Sequence, residues 1–318
     1  MKAVLINSDK SLGWSEVADP VLEPGHVVVA VRAAGVNRAD LLQAAGKYPP
    51  PPGWPEWPGL ECSGVVAEAA PGSRFRPGDK VCALLGGGGY AEKVLVPEGM
   101  VMPLPEGVSF VEAAALPEVY TTAMLNLVIL GGLQKGETLF VQAGASGLGI
   151  AAIQIGKLLG AKVVTTVGSP EKAAAVKKLG ADVVINRKVE PVDEILLQNP
   201  VDVALDCAGG VLLGKCLPAM TPGGRWILVS TLGGESTEIP LRVLLKKHLK
   251  LIGSTLRSRS DAVKSAILQR LVETVWPQVA SGKFRPVIDR TFPMADAAAA
   301  HRVLAEQKNI GKVVLTLA

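Results

Sequence analysis

Histidine and cysteine are scarce, at three and four among 318 residues. A catalytic zinc needs about three His, Cys or Glu ligands converging on one open position. The histidines fall in a turn (His26), a basic run (His248) and a helical stretch (His301), and nothing in the sequence draws them together, so no metal is expected. Cys62, Cys82, Cys207 and Cys216 have no Cys-x-x-Cys spacing, which argues against a structural zinc lobe; within strand or helix patterns a thiol reads as a small hydrophobe. Apolar runs stop short of the roughly 20 uninterrupted residues of a membrane span. The longest, 113–133, is broken by Pro117, Glu118 and Asn126 and reads as a core helix. Charge of one sign is not in excess either. A net charge of +4 gives no reason to expect nucleic acid, and the densest run, Lys246-Lys247-His248-Leu249-Lys250, sits where basic residues suit a helix C-terminus. Met1 runs at once into a strand pattern, so no secretory leader and a cytoplasmic setting are expected.

Glycine, by contrast, is abundant and patterned. The residues 138–160 read as a buried strand, a glycine-rich turn with Gly144, Gly147 and Gly149, and a helix that starts at the turn. Such a turn lets backbone N–H groups approach a pyrophosphate, and the helix N-terminus adds partial positive charge. The spacing is GxxGxG rather than GxGxxG, so the motif alone is a partial match. Its context adds weight, because apolar β-branched runs recur at 138–143, 162–167, 182–185, 201–206, 225–229 and 249–254 with helical stretches between them. Six such strands fit a doubly wound parallel sheet with its ligand crevice at the strand C-terminal ends. The flanks read as an antiparallel β domain: short extended runs at 2–6, 27–33, 63–69, 80–84 and 91–96 with Pro-Gly turns, then 287–292, a helix over 294–306, and 313–317. The expected organisation is therefore a β domain of residues 1–116 and 261–318 interrupted by a nucleotide domain, 117–260. Four consecutive glycines, 86–89, read as a flexible loop.

The charges near the second strand argue for a particular cofactor. An NAD enzyme places a carboxylate there, on the ribose 2′-OH. Here Gly168 ends the strand, Ser169 can hydrogen-bond a 2′-phosphate, Lys172 supplies charge and Arg187, after the third strand, offers a planar fork. NADPH is expected, although Lys172 also reads as a solvated helix residue and Glu171 lies in the first helical turn, where acidic residues are favoured anyway.

Several stretches together resemble a known family: 37–53, beginning Asn-Arg-Ala-Asp-Leu, then Gly59-Leu-Glu-Cys-Ser-Gly64, Gly78-Asp-Lys-Val81, Gly89-Tyr-Ala-Glu92, Ala143 to Gly149, and Asn309-Ile-Gly-Lys-Val-Val-Leu315. In this order, over nearly the whole chain, they resemble the zinc-independent quinone oxidoreductases of the medium-chain dehydrogenase/reductase superfamily. Leu256-Arg-Ser-Arg259 is most similar to the tumour-suppressor-inducible, zeta-crystallin-like subgroup. The positions where zinc-dependent relatives carry Cys and His hold Asn37 and Leu60 here. The resemblance implies a Rossmann doubly wound parallel sheet inserted in a discontinuous GroES-like antiparallel β domain, a homodimer, NADPH as cofactor and a small quinone or enone as substrate. It places Tyr48 over the nicotinamide, as a donor to a quinone oxygen or as a rim aromatic. Ser146 resembles a residue that assists catalysis, though a phosphate-loop hydroxyl is the simpler reading. Asn37, Glu118, Thr122, Gly144, Gly147, Leu148, Gly149, Gly168, Ser169, Lys172, Arg187, Cys207, Ser230, Leu232 and Asn309 are implied to lie along the cofactor; Asn37 and Asp40 also read as a helix N-cap, and Asn309 as part of a β-turn. A carbon–carbon double-bond reductase, or a nucleotide-binding protein with vestigial activity, would use the same fold.

Overall fold

The computed structural model describes residues 1–317. The chain forms two compact units, one of Met1–Thr121 with the segment from Arg257 onward, the other Thr122–Leu256.

The first unit opens with β1 (Lys2–Ile6) and β2 (Leu12–Glu16), an antiparallel pair. There follow β3 (His26–Gly35), β4 (Glu61–Ala69), β5 (Lys80–Leu84), β6 (Lys93–Pro97) and β7 (Val101–Pro103). In the second unit lie β8 (Thr138–Val141), β9 (Lys162–Val167), β10 (Val183–Asn186), β11 (Val201–Asp206), β12 (Met220–Leu228) and β13 (Lys250–Gly253), and the chain returns to the first unit with β14 (Ile288–Pro293) and β15 (Lys312–Thr316).

The first unit's main sheet runs β14-β15-β3-β4-β5-β7, with β6 also on β3. Its Val27, Val28, Val29 and Val31 are buried, and with β4 and β6 they hold the centre of the sheet. The expectation of an antiparallel domain needs one correction: β14 and β15 pair in parallel, because a helix, Ala297–Ala305, carries the chain back over the sheet between them. Two helices, Asp261–Thr274 and Trp276–Ala280, had no counterpart in the sequence reading. The Asp261–Thr274 helix buries only Lys264, Ile267, Leu268 and Leu271, too narrow an apolar stripe to stand out.

The second unit is a six-stranded sheet in the order β10-β9-β8-β11-β12-β13, every pair parallel. Counting from β8 this is the 3-2-1-4-5-6 order of the doubly wound dinucleotide fold, with its topological switch between β8 and β11. Phe140, Val164, Ala204 and Trp226 build one core against Leu196, Leu213 and Leu217. Buried Trp226 donates its indole N–H to Asp206 Oδ2 (2.9 Å), which satisfies both polar groups inside that core.

The expected single core helix over 113–133 is not continuous. Phe110–Ala113 and Pro117–Ala123 are separate α segments, and Met124–Leu130 is wound as a π-helix. The wider turn is where Asn126 Nδ2 reaches back to Thr122 O (2.7 Å). The stretch Phe110–Leu130 is long and apolar enough to cross a membrane by length and composition, but 72% of its apolar 18-residue window is buried inside the protein.

Candidate active site

In the first unit, charged side chains meet where composition alone predicts core. Lys312 begins β15 and Glu61 begins β4; the lysine is 4% exposed and the glutamate not at all. Lys312 Nζ donates to Glu61 Oε1 (2.6 Å), Asn37 Oδ1 (2.6 Å) and Val36 O (3.0 Å), which uses all three of its protons. Asn37 Nδ2 donates to the same Glu61 Oε1 (2.9 Å), and the Glu118 N–H to Glu61 Oε2 (2.9 Å). Asn37, expected along the cofactor, thus spends its amide on this buried pair. It also starts the helix Arg38–Ala44, and Asp40 reaches back to its N–H (2.7 Å), as the N-cap reading of the two residues requires.

Asp40 extends the network. Its other oxygen accepts the Gly59 N–H (3.0 Å), and the buried Tyr90 hydroxyl donates to Asp40 Oδ2 (3.0 Å). Tyr90 lies 3.3 Å from His301 Nε2. Burial pushes the Asp40 carboxyl up to about 6 despite its three donors and the Lys312 charge, and the His301 imidazole down to about 4. His301, inside the helix Ala297–Ala305, thus meets the Tyr90 hydroxyl rather than another histidine. Glu61, Lys312, Tyr90 and Arg257 were not singled out for a role, and the available signal was a charged residue at each of two apolar strand starts.

Glu118 is half-buried, and its carboxyl is pushed up to about 8, first by burial and then by the charge of Glu61. An unfolded chain releases this proton near 4.5, whereas the folded chain holds it to about 8, so this group makes stability fall as pH rises through that window. Glu118→Gln cannot ionise. Its melting temperature is expected to gain on the wild type progressively from pH 4.5 to 8, by roughly 2–4 °C for each kcal/mol of this linkage in a large domain. Thermal melts at several pH values check this, and a pH-independent difference would contradict it.

Tyr48, also half-buried, stands in the loop after the Arg38–Ala44 helix. Burial raises its phenol, the nearby Arg257 cation opposes that and Glu118 adds to it. The glycines 86–89, read as a flexible loop, are all buried. A Cβ on Gly86 would stand 2.7 Å from the Trp54 indole nitrogen, and one on Gly87 2.9 Å from Pro55 O. The run is a bed on which the Trp54-Pro55 segment lies, and glycine is needed there for contact rather than for motion.

In the second unit the glycine-rich turn follows β8. Ala143 stands at φ +54°, and Ser146 N–H closes the turn onto Ala143 O (2.9 Å). Gly144 and Gly149 have structural reasons of their own. A Cβ on Gly144 would fall on the Thr165 side chain of β9, and one on Gly149 would come within 2.6 Å of Gly144 Cα. They let the turn lie against β9 and the helix Gly147–Leu158 lie against the turn. Ser146 is the N-cap of that helix, its Oγ accepting the Gly149 N–H (3.0 Å). The first intrahelical bond runs from Ile150 N–H to Ser146 O, so the N–H groups of Gly147 and Leu148 precede it at the positive end of the helix.

At the end of β9, Ser169 caps the helix Pro170–Lys178 by accepting the Lys172 N–H (3.3 Å). The Arg187 N–H bonds Val167 O (3.0 Å), and its guanidinium lies over Gly168, where a Cβ would stand 3.2 Å from Nη1. Gly168, Ser169 and Arg187 are therefore together, with Lys172 one helical turn on. Cys207, just past β11, donates to Gln142 O (3.4 Å). Ser230 and Leu232 follow β12, half-buried and exposed, and Thr122 opens this unit, half-buried. Asn309 belongs to the first unit, where its side chain closes the turn before β15 through Gly311 O (2.6 Å).

Comparison with known proteins agrees with this architecture. Residues 23–106 match the "Alcohol dehydrogenase GroES-like domain" model and 147–273 the "Zinc-binding dehydrogenase" model. Quinone oxidoreductase from Sus scrofa is 33% identical over 310 residues, which cover 95% of this chain and 92% of that protein. The spectinabilin polyketide synthase system protein NorB of Streptomyces orinoci is 35% identical over 306 residues, 95% of this chain, yet the chain spans only 14% of its length. Among solved structures, the quinone oxidoreductase of Thermus thermophilus, also determined in complex with NADPH, is 33% identical with a TM-score of 0.84 and full coverage of both chains. CurK enoyl reductase is 25% identical with a TM-score of 0.85, covering 100% of this chain and 99% of that one. Although one of the two models is named for zinc binding, among the described residues no group of three or more His, Cys, Asp or Glu is placed to hold a metal ion. Two units of these folds, matched along nearly their whole length, make the chain an oxidoreductase of the medium-chain dehydrogenase/reductase family, with the nicotinamide-binding fold of that family.

Proposed function

We propose that this oxidoreductase is an NADPH-dependent, metal-free reductase of quinones. The observation that carries the cofactor choice is the Arg187 guanidinium over Gly168, the residue before the helix cap Ser169, with no carboxylate ending β9. A planar cation there matches a 2′-phosphate, which a carboxylate would repel. The N–H groups of Gly147 and Leu148 suit the pyrophosphate. NADPH, when bound, supplies the hydride. On the protein side, Tyr48 donates its phenol hydrogen to the oxygen on which negative charge develops, and Glu118, kept neutral at pH 7, offers a second hydrogen-bond donor rather than a repelling charge. Ser146 serves as a cap and a phosphate-loop hydroxyl. The quinone substrate is supported by the names of the Sus scrofa and Thermus thermophilus proteins, and the four free cysteines suit the reducing cytoplasm.

NADPH is expected to bind more tightly than NADH by roughly 1.5–3 kcal/mol for each charged hydrogen bond kept, before desolvation. Arg187→Ala should remove most of that gap while leaving NADH affinity nearly unchanged. Fluorescence titration with both nucleotides measures it, and equal affinities in the wild type would overturn the assignment.

The second reading is a double-bond reductase of enones or enoyl thioesters, favoured by the likeness to CurK enoyl reductase. NADPH oxidation with a panel of quinones, enones and enoyl thioesters separates the two. No turnover with any of them would instead favour a nucleotide-binding protein with vestigial activity. We also read β13, an edge strand with Lys250, Leu251 and Gly253 exposed, as the seat of a second copy of the chain. A monomeric mass by light scattering at micromolar concentration would refute that homodimer.

A further inference from the structure

We propose that Arg257 is a positioning residue for Tyr48, holding the phenol in place from its backbone and from the face of its ring. The proposal rests on the reading that Tyr48 donates to the substrate oxygen.

Arg257 is 8% exposed. Its Nη1 donates to Tyr48 O (3.0 Å), Nε to Gly86 O (2.9 Å) and Nη2 to both Gly86 O and Gln43 Oε1 (2.7 Å). Its Cζ stands 4.8 Å from the Tyr48 ring centroid, within the range of a cation–π contact. Gln43 in turn donates Nε2 to Glu56 O (2.7 Å). One guanidinium thus ties the helix before the Tyr48 loop, the loop itself and the glycine bed beneath it. The flush contact of Gly86 with Trp54 makes the same connection by packing.

The hydrogen-bond partners are the second part of the argument. A buried arginine that serves the fold alone is ordinarily paired with a carboxylate, since an uncompensated buried charge is costly. Arg257 directs these bonds to neutral oxygens instead. Its positive charge is not cancelled within hydrogen-bonding distance and acts on the adjacent phenol, where it favours negative charge on the oxygen and so makes the O–H a better donor. A lysine keeps the charge but has neither the planar stack nor the fork that reaches Tyr48 O and Gly86 O together.

A double-mutant cycle with amide hydrogen exchange on the full-length protein tests this. Arg257→Met is expected to speed exchange over residues 46–54 and to lower kcat about tenfold or more in the wild-type background, yet to change it only about twofold in Tyr48→Phe, with NADPH affinity unchanged in both. Arg257→Lys, which keeps the charge but not the fork or the stack, should speed the same exchange with a smaller loss of kcat, again only where Tyr48 is present, and replaces the methionine variant if that does not fold. Unchanged exchange, or equal losses of kcat in the two backgrounds, would overturn the role of Arg257 while leaving that of Tyr48 standing. A Tyr48→Phe enzyme with normal kcat would instead remove the reading beneath it, and the proposal with it.

Discussion

Lys312→Met is expected to lower the unfolding free energy of the protein by about 3–5 kcal/mol, the loss seen when one partner of a buried ion pair is removed. The reason is what stays behind. Glu61, wholly buried, would lose the cation on Oε1 and keep only Asn37 Nδ2 and the Glu118 N–H as donors, while Asn37 Oδ1 and Val36 O would lose their partner. The variant with both Lys312→Met and Glu61→Leu should recover a good part of the loss, since the stranded charge is gone. Urea unfolding of the three proteins measures the sequence of effects. A loss below about 1 kcal/mol for Lys312→Met would place the pair among weak surface bridges and sink the account.

Tyr48→Phe is expected to lower kcat by roughly ten- to a thousandfold with little change in NADPH affinity, the cost of removing one preorganised donor from the developing charge. The ring, its packing and its contact with Arg257 survive the change, so the variant isolates the hydroxyl. If the side chain only lines a pocket, the loss stays within a few-fold. Steady-state kinetics with a two-electron quinone, alongside NADPH titration of the variant, distinguishes the cases. A normal kcat would leave solvent as the proton source and reduce catalysis to holding hydride donor and acceptor in contact.

The second unit was the more legible part. Runs of β-branched residues bounded by glycine, proline and charged helix ends place β9 and β11 at the residues read from sequence, and β8, β10, β12 and β13 close to them. A strand buried on both faces leaves a continuous apolar signature that no other local structure explains so simply. The ends of β9 and β10 were legible for a similar reason: Gly168 and Arg187 stand out by type as well as by position, and the fold brings them into contact.

The amino-acid sequence by itself determined the two kinds of sheet, the nucleotide fold within a discontinuous β unit and the family, because these depend on local periodicity, turn residues and motif order. The tertiary structure alone decided what the charged and glycine residues of the first unit do. Glu61 and Lys312 lie 251 positions apart, Gly86 and Arg257 171, and no local pattern records such a pairing. Burial is also a property of the assembled unit. It converts a strand-start lysine into the anchor of Glu61, lifts Glu118 to about 8, and turns four apparently mobile glycines into the bed beneath Trp54. Each of these effects comes from removing water from groups that chain separation had kept apart, which only the folded chain can do.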